Sequence, residues 1–263
     1  MSIFTDSGEF HLKISRGDIG RYVILPGDPG RVEKIAEHLE NAHFVAQNRE
    51  YCIYSGSLCG EAVSVCSTGI GGPSAAIAVE ELVHCGADTF IRVGTSGGMA
   101  TKVVAGDLCI ASAAVRGEGT SYEYIPRDYP AAADFDVVLA LNQAAEKMSE
   151  DKDGMRYHIG VVQSKDSFYG ETNPETMPVA EYLRQRWGEY LKCGCLTSEM
   201  ECAAIFSAAI ARGVRAGGVL TAIWNVERQN SGFDEKPCMS SERAIKCAVE
   251  AIKILIKNDT KRG

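Results

Sequence analysis

Apolar runs and amphipathic stretches alternate along the chain from residue 22 onward. Tyr22 to Leu25 (YVIL) reads as a buried strand, and RVEKIAEHLE after it has helical spacing over about 30–39. AHFVAQ, YCIYSGSL and EAVSVCST read as three further strands, the last ending at the turn Thr68-Gly69-Ile70-Gly71-Gly72. Pro73 stands where proline favours a helix start, and Ile77, Val79, Leu82 and Val83 follow with helical spacing. TFIRVGTSGG and DLCIASAAV are strands, and ADFDVVLALNQAAEKM is a helix with Asp134 near its start. YHIGVVQS is a strand, and the region 177–193 reads as a helix. SEMECAAIFSAAIARG reads as a helix with Ser198 as its cap and Gly213 as its stop. RAGGVLTAIWN and SERAIKCAVEAIKILIKN close the chain as a strand and an amphipathic helix. This alternation predicts an α/β fold: one domain over 1–263, with a central mixed, mainly parallel sheet flanked by helices on both faces.

Composition narrows the picture. A chain of 263 residues is long enough for a substantial core, and 45% hydrophobic with 24% charged residues is ordinary for a globular protein. The net charge of −8 argues against nucleic acid or an anionic membrane as partner. MSIFTDSGEFHLKIS has no cationic start and no long apolar centre, so no secretory leader is expected. No stretch approaches the ~20 apolar residues of a membrane span. The ten cysteines include no C-x-x-C pair, and Cys66, Cys85, Cys109, Cys202 and Cys247 lie in apolar segments as small buried hydrophobes. His11, His38, His43, His84 and His158 show no metal-ligand spacing. The expected setting is cytoplasmic, with no metal centre.

Chemistry is expected where strands end, because open α/β sheets bind ligands at the carboxyl ends of their strands. Pro26-Gly27-Asp28-Pro29-Gly30-Arg31 joins a strand end, a glycine turn, an arginine and a helix start, a natural anion cradle, and no Walker lysine accompanies it. Arg92 sits inside the apolar strand FIRVGTSGG, so it is either solvated or held by an anion. A core carboxylate is the structural partner; a phosphate shared with Arg31, and completed by Thr95, Ser74 and glycine amides, is the functional one. TGIGGPS has Ser74 where a dinucleotide fingerprint needs its third glycine. On a helix, Glu199 and Glu201 point about 200° apart. They serve either the helix start or, through one carboxylate, a sugar diol.

Taken in order, PGDPGRVEKIA (26–36), NREY (48–51), STGIGGPSAAIAVEEL (67–82), FIRVGTSGG (90–98), AAVRGEGTSYEYIP (113–126), SKDSFY (164–169) and SEMECAA (198–204) resemble the nucleoside phosphorylase superfamily, closest to its uridine phosphorylase branch. The resemblance implies phosphate-dependent cleavage of a pyrimidine nucleoside to free base and (deoxy)ribose 1-phosphate. It implies that Gly27, Arg31, Arg92 and Thr95 bind phosphate, joined by Arg49 from a neighbouring subunit. His11 then crosses the same interface towards the sugar, Met200 and Glu201 bind ribose, and Phe168 lies beside the base. Arg92, Thr95 and Glu201 carry the catalysis. Inorganic phosphate is the co-substrate and no organic cofactor is implied, while Glu50, Ile70 and Ser74 match positions where some relatives hold a monovalent cation such as K+. The implied assembly is a homo-oligomer, at least a dimer and commonly a hexamer.

The match departs from the family at the base. The glutamine and arginine that read uracil after the Phe-Tyr pair are replaced by GETNPETMP, placing Glu171 and Thr176 there, with Arg184, Arg186 or Arg228 as substitutes. Asn225 stands in AIWNVERQN, where purine-cleaving relatives carry an acid. Glu171, Asn225 and Arg228 are therefore the base-reading candidates beside Phe168. A purine nucleoside phosphorylase for 6-oxopurines is the alternative, and a non-catalytic nucleoside binder the third reading.

Overall fold

The structure, a computed structural model, describes residues 8–150 and 155–262; the first seven residues of the stretch read for leader features lie outside these. In chain order come β1 (Tyr22–Pro26), α1 (Val32–Ala36), β2 (Glu40–Asn48), β3 (Tyr51–Leu58), β4 (Glu61–Cys66) and α2 (Gly72–His84). They are followed by β5 (Thr89–Gly98), β6 (Leu108–Gly117), β7 (Ala131–Ala132), α3 (Phe135–Glu150), β8 (Tyr157–Lys165) and α4 (Phe168–Thr172). The rest are α5 (Ala180–Lys192), β9 (Thr197–Glu199), α6 (Cys202–Arg212), β10 (Arg215–Asn225), α7 (Val226–Asn230) and α8 (Glu242–Arg262).

These strands form one mixed sheet. β1 runs parallel to both β4 and β5, β5 parallel to β10, and β8 parallel to β6 and β9. The meander β2–β3–β4 is antiparallel, as are β10–β6 and β5–β9. Because β5 pairs with both β10 and β9, the strands β5, β10, β6, β8 and β9 close into a ring. Bulges at Ala222/Trp224 and Ala111/Ala113 supply the local bending that closure needs.

Helices cover both faces. On one side α2 packs against α6, around Val79, Leu82, Ile205 and Phe206. On the other α3 packs against α8, around Val137, Leu141, Ile252 and Leu255. Strand alternation assigns Phe90 to the first core and Ile91 and Val93 to the second. Arg92 thus shares its face with Phe90, under the start of α6. Cys66, Cys85, Cys109, Cys202 and Cys247 are buried as expected, and burial pushes the Cys85 thiol up to about 11. No helix among the described residues is long and apolar enough to cross a membrane.

Two local expectations change. The helix expected over 30–39 is a 3-10 turn, Pro29–Arg31, capped by the Asp28 carboxylate accepting from the Gly30 amide, and then the single short α1. β2 begins at Glu40 and draws the chain into the sheet. Ser198 does not cap α6, which begins four residues later, at Cys202. Ser198 lies in β9, opposite Gly97 of β5 and Gln163 of β8, where sheet pairing competes successfully with the helix. The helix stop at Gly213 does form, in the left-handed region with φ of 66°.

Candidate active site

The carboxyl ends of β1, β5 and β8, together with β9 and the turn after β4, surround a cavity of about 1330 Å³. Gly27, Arg31, Arg92, Thr95, Met200, Glu201, Phe168 and Glu171 all line it. Sequence reasoning placed all eight here, and the topology brings them together.

Arg92 organises the floor. It is 4% exposed and donates from Nε to Glu199 Oε2 at 3.0 Å and from Nη2 to Glu201 Oε2. The two carboxylates converge because Thr197–Glu199 is strand rather than helix and the chain bends at Met200 and Glu201 before α6 begins, which lets both side chains reach Arg92. This replaces the divergence expected from helix geometry. Arg92 Nη1 has no partner among the described residues, and a Cβ at Gly27 would lie 3.8 Å from it. The same Cβ would stand 3.2 Å from the Gly69 carbonyl, so glycine lets the β1 turn sit close against the arginine. Burial alone would lower the Arg92 guanidinium, but Glu201 and Glu199 outweigh it and hold its pKa above the usual value. Arg31 has only a loose contact with Asp28, at 3.9 Å, and its guanidinium remains available to the cavity.

Glu199 and Glu201 divide their work. Glu199 accepts from the amides of Glu201 at 2.8 Å and Cys202 at 2.9 and 3.0 Å, and from Ser164 Oγ. It is the real cap of α6, assisted by Ser164 Oγ accepting from the Ala203 amide at 2.9 Å. Glu201 turns its other oxygen to the Gly71 amide at 2.6 Å, which fixes the turn after β4. Burial pushes the Glu201 carboxyl up, Arg92 pulls it back, and the net shift is upward. The expectation that one of the two carboxylates serves the helix start holds for Glu199, which takes the place Ser198 was expected to fill.

A second polar cluster lines the cavity along β8 and β9. Lys165, 8% exposed, donates to Ser198 Oγ at 2.5 Å and pairs with Glu171 Oε1 at 2.8 Å. Ser198 Oγ lies 2.5 Å from Gln163 Oε1 and 2.6 Å from Glu171 Oε1. The Lys165 ammonium stands 6.0 Å from the Phe168 ring centroid, over its face. Sequence reasoning missed Lys165 and Gln163; the signal lay in the alternation of β8, which aims 163 and 165 to the same side. Trp187 of α5 donates to Glu227 of α7 at 2.7 Å, and both residues line the cavity.

Of the other expected residues, Glu50, Ile70, Arg184 and Arg186 also line the cavity, and the rest lie outside it. Asn225 does not reach the cavity: it is fully buried, donates to the carbonyls of Ala100 and Val103, and accepts from the amides of Glu227 and Arg228 as the cap of α7. All its hydrogen-bonding capacity is consumed there. Arg228 also points away, pairing with Glu235 at 2.6 Å, donating to the Thr101 carbonyl and stacking on Phe233. Neither is placed to touch a base. Thr176 caps its own turn through the Asn173 carbonyl, Arg184 is held by Glu175 and Glu181, and Arg186 binds the Tyr182 and Tyr190 hydroxyls. His11, bonded to Glu81 at 2.6 Å, and the exposed Arg49 lie outside this chain's cavity. Ser74 Oγ gathers Glu50 Oε1 at 2.6 Å and the Thr68 carbonyl at 2.5 Å, and Ile70 is 79% exposed beside them. The hydrogen bond from Ser74 draws the Glu50 carboxyl below its usual value.

A profile of the phosphorylase superfamily matches residues 21–255, spanning every strand and the cavity described above. The chain belongs to the phosphorylase superfamily. It is 51% identical over 260 residues to a uridine phosphorylase of Treponema pallidum, covering 99% of both chains. It is 43% identical to a uridine phosphorylase of Thermococcus kodakarensis, over 98% of this chain and 91% of that one. A guanosine phosphorylase of Halorubrum lacusprofundi is 40% identical, over 93% of this chain and 98% of the relative.

Proposed function

We propose that this protein is a pentosyltransferase that splits a pyrimidine nucleoside, uridine in the first place, with inorganic phosphate. The products are the free base and (deoxy)ribose 1-phosphate. The observation that carries the reading is Arg92: a buried cation at the cavity floor, two nitrogens on carboxylates and a third unpartnered beside Gly27. An unpaired buried donor is costly, and an anion between Arg92, Arg31 and Thr95 removes that cost. Phosphate held there attacks C1′ as the C1′–N bond opens, and its charge stabilises the cationic sugar. Glu201 and Met200 hold the ribose, with Glu201 accepting from its hydroxyls, and Phe168 stacks on the base.

In this reading Arg49 and His11 serve the cavity of a neighbouring copy, so the working unit is a homo-oligomer, a hexamer built from dimers. The reaction needs no organic cofactor. A monovalent cation would sit at Glu50, Ile70 and Ser74 at the subunit boundary, where Ser74 Oγ already meets Glu50 Oε1 and the Thr68 carbonyl. The setting is cytoplasmic pyrimidine salvage. A second reading, a 6-oxopurine nucleoside phosphorylase, draws support from the Halorubrum relative and from a cavity roomy enough for a purine. The deciding experiment measures base release from uridine, thymidine, inosine and guanosine with and without phosphate. Phosphate-dependent release from uridine or thymidine is expected; release from the purine nucleosides alone overturns the pyrimidine reading in favour of the second. Calorimetric binding of a nucleoside with no turnover of any would leave only a non-catalytic binder.

A further inference from the structure

Glycosidic cleavage leaves negative charge on the departing base, so a cation near its carbonyl oxygens acts directly on the transition state. At the phosphate end Arg31 and Arg92 are committed to the anion and to Glu199 and Glu201. At the base end the described cations lining the cavity are Lys165, Arg184 and Arg186. Arg184 is clamped by Glu175 and Glu181, and Arg186 by two tyrosine hydroxyls. Lys165 differs. Of its three ammonium hydrogens, one goes to Ser198 and one to Glu171, and the third has no acceptor among the described residues. The ammonium lies over the face of Phe168, within reach of a base stacked on that ring.

We propose that Lys165 is the electrophilic group of this enzyme, donating to a carbonyl oxygen of the departing base, with Glu171 and Ser198 holding it in place. The inference rests on the phosphorylase reading above and names the feature its substrates share: an oxo-base whose carbonyl carries the leaving electron pair. The C1′–N bond breaks with both electrons passing into the base, and a phosphate oxygen bonds to C1′. The proton that monohydrogen phosphate gives up on forming the ester ends, through solvent, on the base nitrogen. Lys165 keeps its proton throughout and supplies only a charged hydrogen bond. Glu171, paired through Oε1, has Oε2 left to accept from a ring N–H beside that carbonyl.

The test is a leaving-group comparison in saturating phosphate. Wild type, Lys165→Met and Lys165→Gln are assayed on uridine and on 5-fluorouridine, whose base is the more stable anion. Losing a preorganised donor to a developing oxyanion costs roughly 10²–10³ in kcat. Lys165→Met is therefore expected to lower kcat on uridine by about that factor, and on 5-fluorouridine by at least about tenfold less. Lys165→Gln, which keeps a neutral donor, falls between them and serves if the methionine variant does not fold. Equal losses on both substrates, or an unchanged kcat, overturn the role of Lys165. A wild-type enzyme that releases neither base overturns the pyrimidine reading beneath it, and the two failures are told apart by that control.

Discussion

Replacing Glu199 by alanine isolates the scaffold from the chemistry. The carboxylate is 1% exposed and its loss strips Arg92 Nε, the Glu201 and Cys202 amides and the Ser164 hydroxyl of their acceptor at once. Each orphaned buried donor costs about 1–3 kcal/mol, but Arg92 keeps Glu201 as a partner, so the terms do not simply add. Removing one member of a buried ion pair typically costs about 3–5 kcal/mol, which is the expected destabilisation. For a domain of this size that is a fall of roughly 6–20 °C in the unfolding midpoint, read by circular dichroism or scanning calorimetry. Glu201→Gln keeps its shape but loses the buried charge that pairs with Arg92 and that the proposed function turns to the ribose, so it is expected to lower kcat as well as Tm. A Glu199→Ala midpoint within 2 °C of wild type would refute the assignment of Glu199 as the cap of α6 and anchor of Arg92.

Two further outcomes follow from the same geometry. Arg92→Ala, or Arg92→Lys where the alanine variant does not fold, should raise the phosphate concentration needed for half-maximal rate and cut turnover sharply. It should also abolish the phosphate-induced rise in wild-type stability, about 2.7 kcal/mol at a hundredfold excess over Kd, and unchanged phosphate kinetics would contradict the site. At the opposite end of the sheet, Asp259 of α8 accepts from Tyr22 at 2.7 Å and Arg215 at 2.6 and 3.0 Å, and the Arg215 hydrogen bond holds its carboxyl below the usual range. A depressed carboxylate contributes stability above its unfolded pKa and loses it as pH falls through the folded value. Asp259→Asn should therefore cost about 1.5–3 kcal/mol at pH 7, with the gap to wild type closing below about pH 4; a gap that persists in acid would show the ionised form is not what matters.

Hydrophobic spacing alone determined most of the elements. The runs at Tyr22–Leu25 and Thr89–Gly98 form strands and the stripe through Ile77, Leu82 and Val83 a helix, as their length, flanking glycines and spacing predict. Glycine and arginine at strand ends marked the cradle at Gly27, Arg31 and Arg92, since a charge inside an apolar run demands a partner whatever the topology. The partner's identity was not local. Glu199 and Glu201 reach Arg92 only because β9 slips between β8 and β5, and three residues of strand outcompete the helical register that Ser198 would have capped. Asn225 and Arg228 looked free in the sequence but are consumed by the carbonyls and the carboxylate that the loops at Ala100–Val103 and Glu235 present. Lys165, unremarkable in its own segment, joins a polar cluster of the cavity wall when the fold sets Ser198 and Glu171 against it. Local periodicity fixes what each segment becomes, whereas which polar groups are satisfied and which stay open depends on contacts between residues tens of positions apart. Those contacts exist only after the ring of strands has closed.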